Sequence, residues 1–149
     1  MPRRIPSSAP FGIAADVWSC PSFNELRRDG LAAERWNLLH PSQTPHKSYV
    51  EECLDGRQGT VIASTDYMRA FAEQIRPYVS QRYVCLGTDG FGRSDYRVAL
   101  RKFFEVNRHY VVVAALKSLA DEGVVPKPKV AEAIAAYGID PERPPPWTM

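Results

Sequence analysis

Two short apolar runs, "TVIAST" at residues 60–65 and "RYVCLG" at residues 82–87, are each followed by a segment of helical spacing. This doubled order constrains the fold more than any other feature. Runs of that length, rich in β-branched residues, read as buried strands. After the first, Met68, Phe71, Ile75 and Tyr78 recur along one helix face of "DYMRAFAEQIRPYV". After the second, Tyr96, Leu100, Phe103 and Phe104 line one face of "YRVALRKFFEV". A strand that leads through a helix to another strand is the unit of a parallel sheet, and such a sheet needs both faces covered. A third buried strand is expected over about residues 13–19, in "GIAADVWSC", bounded by Gly12 and Pro21. The class is α/β, three-layered, with a mixed, mainly parallel sheet flanked by helices.

The remaining helices are marked by their ends. Ser22 and Glu25 in "SFNE" form a capping-box pattern: the Ser22 hydroxyl accepts from the Glu25 amide and the Glu25 carboxylate reaches back to the Ser22 amide. That helix is expected to stop near Gly30, with a second short one in "LAAERWNLLHP" ended by Pro41 and a third in "KSYVEECLDG" closed by Gly56. Asp66 is placed to cap the helix that follows "TVIAST", and Asn107 to cap one buried nearly all round from Tyr110 to Leu119 and stopped by Gly123. A last helix spans about Lys129 to Tyr137, with Val130, Ile134 and Tyr137 inward and Gly138 beyond its end. Residues 1–11 read as an irregular arm, 12–139 as one domain and 140–149 as a tail; the 13 prolines gather toward the two ends. Three strands against five or six helices leave little sheet for so many helices to cover.

A chain of 149 residues matches one domain with a real core. Its 19 basic and 17 acidic residues give a net charge of +2 with no basic run longer than two, so neither nucleic acid nor an anionic membrane is implied. Cys20, Cys53 and Cys85 are odd in number and far apart, which speaks against a disulfide framework and a zinc site. With no apolar run for a secretory signal and none of membrane-spanning length, cytoplasm is the expected location.

The turn "LGTDGFGRSD", residues 86–95, falls one residue type short of the phosphate-loop pattern G-x-x-x-x-G-K-[ST], with Arg93 where Lys is required. Arg is planar and bulkier and does not replace that point charge. A tight glycine turn leading into a Ser94 or Asp95 helix cap accounts for the same residues. His40, His46 and His109 carry no metal-pair spacing, and surface or hydrogen-bonded roles describe them better than catalysis. Trp18 and Trp36 read as core or interface anchors. No catalytic, cofactor-binding or metal-ligating residue is assigned.

The stretches "ADVWS", "SFNELRRDGLAAERWNLLHP", "ASTDYMRAFAEQIRPYV" and "RYVCLGTDGFGRSDYRVALRKFFEV" closely resemble the C-terminal domain of one enzyme family. It is the homodimeric, thiamine-diphosphate-dependent decarboxylase component of the bacterial pyruvate dehydrogenase complex. "YVVVAALKSLADEG" and "VAEAIAAYGIDPERPPPW" extend the match from about Gly12 to the tail. The resemblance implies a transketolase C-terminal-like fold. It also implies that thiamine diphosphate and magnesium are held by two other domains, whose G-D-G motif is absent from this chain; "TDG" at 88–90 is a different motif. In that family a strand and helix precede "ADVWS", and "MPRRIPSSAP" does not resemble them.

The expectation is therefore a noncatalytic C-terminal domain, or truncated remnant, that supports subunit assembly in an enzyme of oxidative pyruvate decarboxylation and acetyl transfer to lipoamide. Its partners would be a second copy or the catalytic domains, met through an assembly loop of Asp89, Gly90, Phe91, Gly92, Arg93 and Ser94. A split subunit of an active pyruvate dehydrogenase is the second reading, and an independent anion- or nucleotide-binding domain the third.

Overall fold

The computed structural model describes residues 2–6 and 10–149. Along the chain come β1 (Arg3–Ile5), β2 (Ala15–Val17), α1 (Phe23–Leu39), α2 (Tyr49–Leu54), β3 (Val61–Ser64), α3 (Arg69–Glu73), β4 (Tyr83–Leu86), α4 (Arg97–Phe103), α5 (Arg108–Asp121) and α6 (Lys127–Ala136). The β3–α3–β4–α4 order is the one expected from the two apolar runs. β3 and β4 pair in parallel, Val61 opposite Tyr83 and Ser64 opposite Leu86. Tyr83 and Cys85 are buried on one side of β4, while the alternating Val84 and Leu86 are half-buried. The α/β class holds, with the parallel pair as its only parallel sheet among the described residues.

Within the first 40 residues the structure differs from the expected elements in two places. The arm is not irregular throughout, because β1 pairs antiparallel with β2, Arg3 opposite Val17 and Ile5 opposite Ala15; positions 1 and 7–9 lie outside the described residues. The run at 13–19 supplies only β2, which is exposed along its length and belongs to this ribbon and not to the parallel pair. An apolar run cannot by itself name its pairing partner, and here the arm provides one. Nor does Gly30 end a helix: α1 continues to Leu39 and takes in the segment expected as a second helix. Gly30 is buried there because the Tyr78 ring lies against it, a Cβ at that position falling 2.2 Å from Tyr78 Cζ.

Two apolar clusters hold the fold. Val50, Ala72, Ile75, Tyr78, Val79, Tyr83 and Cys85 form the first, beneath α1 through Phe23 and Leu26. The Tyr83 hydroxyl donates to the Ala72 carbonyl at 2.7 Å, which satisfies the polar end of a buried ring. Burial pushes the Cys85 thiol up to about 11. Leu116, Ala120, Val130 and Ala133 form the second between α5 and α6, with Phe11 and Ile13 packed on it. Lys129 Nζ donates to the Phe11 carbonyl at 2.9 Å and so ties the arm to α6.

Three helices end in the same motif. After α5 the amides of Gly123 and Val124 donate to Ala120 and Leu119, and after α6 those of Gly138 and Ile139 donate to Ala135 and Ile134. After α4 the amides of Glu105 and Val106 donate to Lys102 and Arg101 in the same way. At the left-handed position of this third motif stands Glu105, with φ +62°, where glycine is the common residue.

The expected caps divide. Ser22 Oγ accepts from the Glu25 amide at 3.2 Å, and Asn107 Oδ1 accepts from His109 and Tyr110 at 2.9 and 3.2 Å. The Glu25 carboxylate does not return to the Ser22 amide; it takes Arg28 Nη1 at 2.9 and 3.2 Å, one helical turn on. The full capping box is at α2, where Ser48 and Glu51 bond reciprocally. Asp66 does not cap α3 either. Arg101 reaches its carboxylate at 3.1 and 2.8 Å and holds it below the usual carboxylate range.

Candidate functional site

The two connections that leave the carboxyl ends of β3 and β4 are bonded to each other. The Thr65 amide donates to Leu86, the Thr88 amide to Tyr67 at 2.9 Å, and Thr88 Oγ1 to the Asp66 carbonyl at 2.9 Å. In a parallel α/β unit this end of the strands is where loops gather and where ligands or partners are met.

Asp89 crosses from the second connection to the first. Its Oδ1 accepts from the Arg69 backbone amide at 3.1 Å, and its Oδ2 lies 3.1 Å from Arg69 Nε. Arg69 opens α3, and Met68, at the N-cap position before it, makes no side-chain cap. Asp89 therefore supplies from 20 residues away the cap expected of Asp66, and places a negative charge at that helix start. The sequence signal was present, since Asp-Gly marks a turn, but the partner across the two loops was not legible. Gly87 permits the approach: a Cβ there would lie 2.6 Å from the Arg69 nitrogen.

Gly90 has φ +107°, and a Cβ there would lie 2.8 Å from Trp147 Cα. The C-terminal segment thus packs on the loop, Pro146 buried, with the Arg69 guanidinium carbon 4.9 Å from the Trp147 ring centre. Arg93 and Arg143 place theirs 4.0 and 4.9 Å from the centre of the Phe103 ring. α4 starts after Tyr96, so neither Ser94 nor Asp95 stands at its cap position; Asp95 Oδ1 accepts from the Tyr96 amide at 2.7 Å. Gly92 faces open space.

Around this end, Tyr67, Met68, Phe91, Tyr96 and Val98 are exposed, Phe91 at 81%. Tyr67 and Phe71 rings lie 5.4 Å apart. Met68 and Tyr96, expected on one face with the apolar residues that follow them, stand at the N-cap positions of α3 and α4 and are exposed. Periodicity gave the helix face and missed where the first turn begins. The other expected residues fall elsewhere. His40 and His46 stack on Trp36 with ring centres 4.4 and 3.6 Å away, His109 stacks on Tyr137 at 4.3 Å, and Trp18 lies under Arg57.

A shallow hollow of about 260 Å³ beside the loop is lined by Arg93, Ser94, Asp95, Ala99, Leu100 and Phe103. An anion entering at the start of α3 would meet the Asp89 carboxylate, and Arg93 is engaged on Phe103. Thiamine diphosphate with magnesium calls for an oxygen-rich cation site beside its pyrophosphate. Among the described residues no three His, Cys, Asp or Glu side chains lie close enough to hold a metal ion. Nor is any described helix long and apolar enough to cross a membrane.

Known proteins share this sequence. Over 134 residues it is 71% identical to the pyruvate dehydrogenase E1 component of Pseudomonas aeruginosa, covering 89% of this chain and 15% of that protein. Against the E1 component of Cupriavidus necator it is 60% identical over 139 residues, 93% of this chain and 16% of the relative. Against that of Escherichia coli (strain K12) it is 52% identical over 134 residues, 89% and 15%. The chain thus spans about one sixth of the length of these curated relatives. The family model for the transketolase-like C-terminal domain matches residues 8–107, which takes in α1, both strands of the parallel pair and the bonded loops. The chain belongs to the transketolase-like C-terminal domain family.

Proposed function

We propose that this chain is a noncatalytic assembly domain that docks on the catalytic portion of a pyruvate dehydrogenase E1 component. The exposed cluster of Tyr67, Met68, Phe91, Tyr96 and Val98 carries this reading. Five large apolar side chains around two mutually bonded loops, three of them aromatic and one a methionine, have the composition of an interface core. The relatives named above are about six times as long as the stretch they share with this chain, so in them the domain is joined to a large body of further protein. On this reading the oxidative decarboxylation of pyruvate, the acetyl transfer to lipoamide, and the thiamine diphosphate and magnesium belong to that further protein.

The loop Asp89–Ser94 then has two jobs. Asp89 and Gly90 hold it down, and Phe91 contacts the partner. Mixing the chain with an E1 catalytic portion from which the homologous domain has been removed should give a complex in sedimentation velocity. Phe91→Ser should weaken it at least about tenfold, the loss of roughly 1.4 kcal/mol expected when one buried aromatic anchor is removed. A wild-type mixture that sediments as two separate species contradicts the reading. A chain that instead pairs with itself places the same surface in a homodimer.

A further inference from the structure

The last seven residues contact the loop and the helices beside it in order. Arg143 Nη1 reaches the Lys102 carbonyl at 3.5 Å while its guanidinium stacks on Phe103. Pro144, Pro145 and Pro146 follow, with Pro145 at φ −57° and ψ 140°, the extended left-handed conformation that consecutive prolines hold without help from the rest of the protein. Pro146 is buried, though the residues on either side are exposed. Trp147 then sits between the Arg69 guanidinium and the backbone of Gly90. A short 3-10 turn over Pro146–Thr148 closes the segment, with Thr148 Oγ1 donating to the Pro145 carbonyl at 2.8 Å.

We infer that Arg143–Met149 is a C-terminal strap that fixes the conformation of the Asp89–Ser94 loop and thereby orients Phe91 toward its partner. The geometry supports this in two ways. Trp147 meets Gly90, the residue next to Phe91, at a distance no side chain at position 90 would permit. Its ring also meets Arg69, whose backbone amide is bound by Asp89, so the strap touches Arg69 on one loop and, at Gly90, the residue next to Asp89 on the other. The three prolines reduce the entropy lost when the strap closes, because the unbound segment is already extended. Trp147 is a positioning residue on this account. Its effect on a partner passes through the loop, and in that respect the inference rests on the assembly reading above.

Amide hydrogen exchange on the full chain separates the two ideas, since it reads the loop with no partner present. Deleting residues 143–149 should speed exchange at least about tenfold at the Arg69 and Thr88 amides, which donate to Asp89 and Tyr67 across the two loops, an opening easier by roughly 1.4 kcal/mol, with the amides of α5 and α6 unchanged. Trp147→Ala should do the same, and it serves as the test if the deletion fails to fold. Unchanged exchange at the Arg69 and Thr88 amides in the folded Trp147→Ala variant overturns the strap. The partner is then added: Trp147→Ala and Phe91→Ser should both weaken the complex, but only Trp147→Ala should alter exchange. If Phe91→Ser binds as wild type while Trp147→Ala still loosens the loop, the strap stands and the assembly surface falls. Normal binding by Trp147→Ala, with Phe91→Ser weakened, removes the coupling between them.

Discussion

The ring of Tyr78 occupies the space that a side chain at position 30 would take, so that Gly30, in the middle of α1, is where that helix rests on the turn before β4. Glycine inside a helix costs about 1 kcal/mol against alanine. A Cβ 2.2 Å from a buried aromatic ring costs more, because Tyr78 is held in the first apolar cluster. Overpacking at the upper end of its ordinary range, about 3 kcal/mol, leaves Gly30→Ala about 2 kcal/mol less stable than wild type. Urea unfolding measures it, and a neutral or stabilising result shows that the ring is not where it is described.

Glu105 carries the opposite expectation. It holds φ +62° at the end of α4, and burial raises its carboxyl above the ordinary range although Arg143 and Arg69 pull it down. Glu105→Gly removes both the strained backbone and the half-buried carboxyl, and should stabilise the chain by about 1 kcal/mol. A decrease in the urea midpoint would show that the side chain's contact with Tyr110 outweighs them.

Two carboxylates give pH dependences of opposite sign. Asp66 is held low by Arg101, so its stabilising effect is present above the unfolded value of about 3.9 and is lost as pH falls through its lower folded value. Glu105 has a folded value raised above about 4.3; its favourable term is complete below that pH and is lost as pH rises through the folded value. Glu105→Gln should therefore gain on wild type at pH 7 and not at pH 4, whereas Asp66→Asn should lose at pH 7 and not at pH 2. Thermal unfolding across that range reads both slopes. An identical pH profile for either variant and wild type removes the corresponding assignment.

Asn107 accepts from two amides at the start of α5, the helix that packs on both strands of the parallel pair. Asn107→Ala should cost about 1 kcal/mol and Asn107→Asp little, since Asp provides the same acceptor. Equal losses in the two variants would point to something other than the cap.

What was legible in the sequence is what depends on neighbours along the chain. The β3–α3–β4–α4 order, the Ser22 and Asn107 acceptors and the stops at Gly123 and Gly138 all follow from spacing or from a residue type within one turn. What was not legible depends on contacts across the chain. Gly30 reads as a stop until Tyr78 is placed against it, and "GIAADVWSC" reads as buried until its partner is known to be Arg3–Ile5. Asp66 does not take the cap expected of it, since Arg101, 35 residues away, holds its carboxylate, and Asp89 accepts from the Arg69 amide in its place. The site divides in the same way. The glycine loop is conspicuous in the sequence, but the packing of Trp147 on Gly90 and the exposure of Tyr67 and Met68 beside Phe91 are products of the fold.

The central claim is that this end of the molecule docks on a catalytic partner. Sedimentation velocity of the chain mixed with an E1 catalytic portion lacking its own C-terminal domain tests it most directly, run beside Phe91→Ser and an exposed control on α1, Leu38→Ser. The account predicts a complex with the wild type and with Leu38→Ser, and one at least about tenfold weaker with Phe91→Ser. Equal binding by all three proteins, or no complex with any, would contradict it.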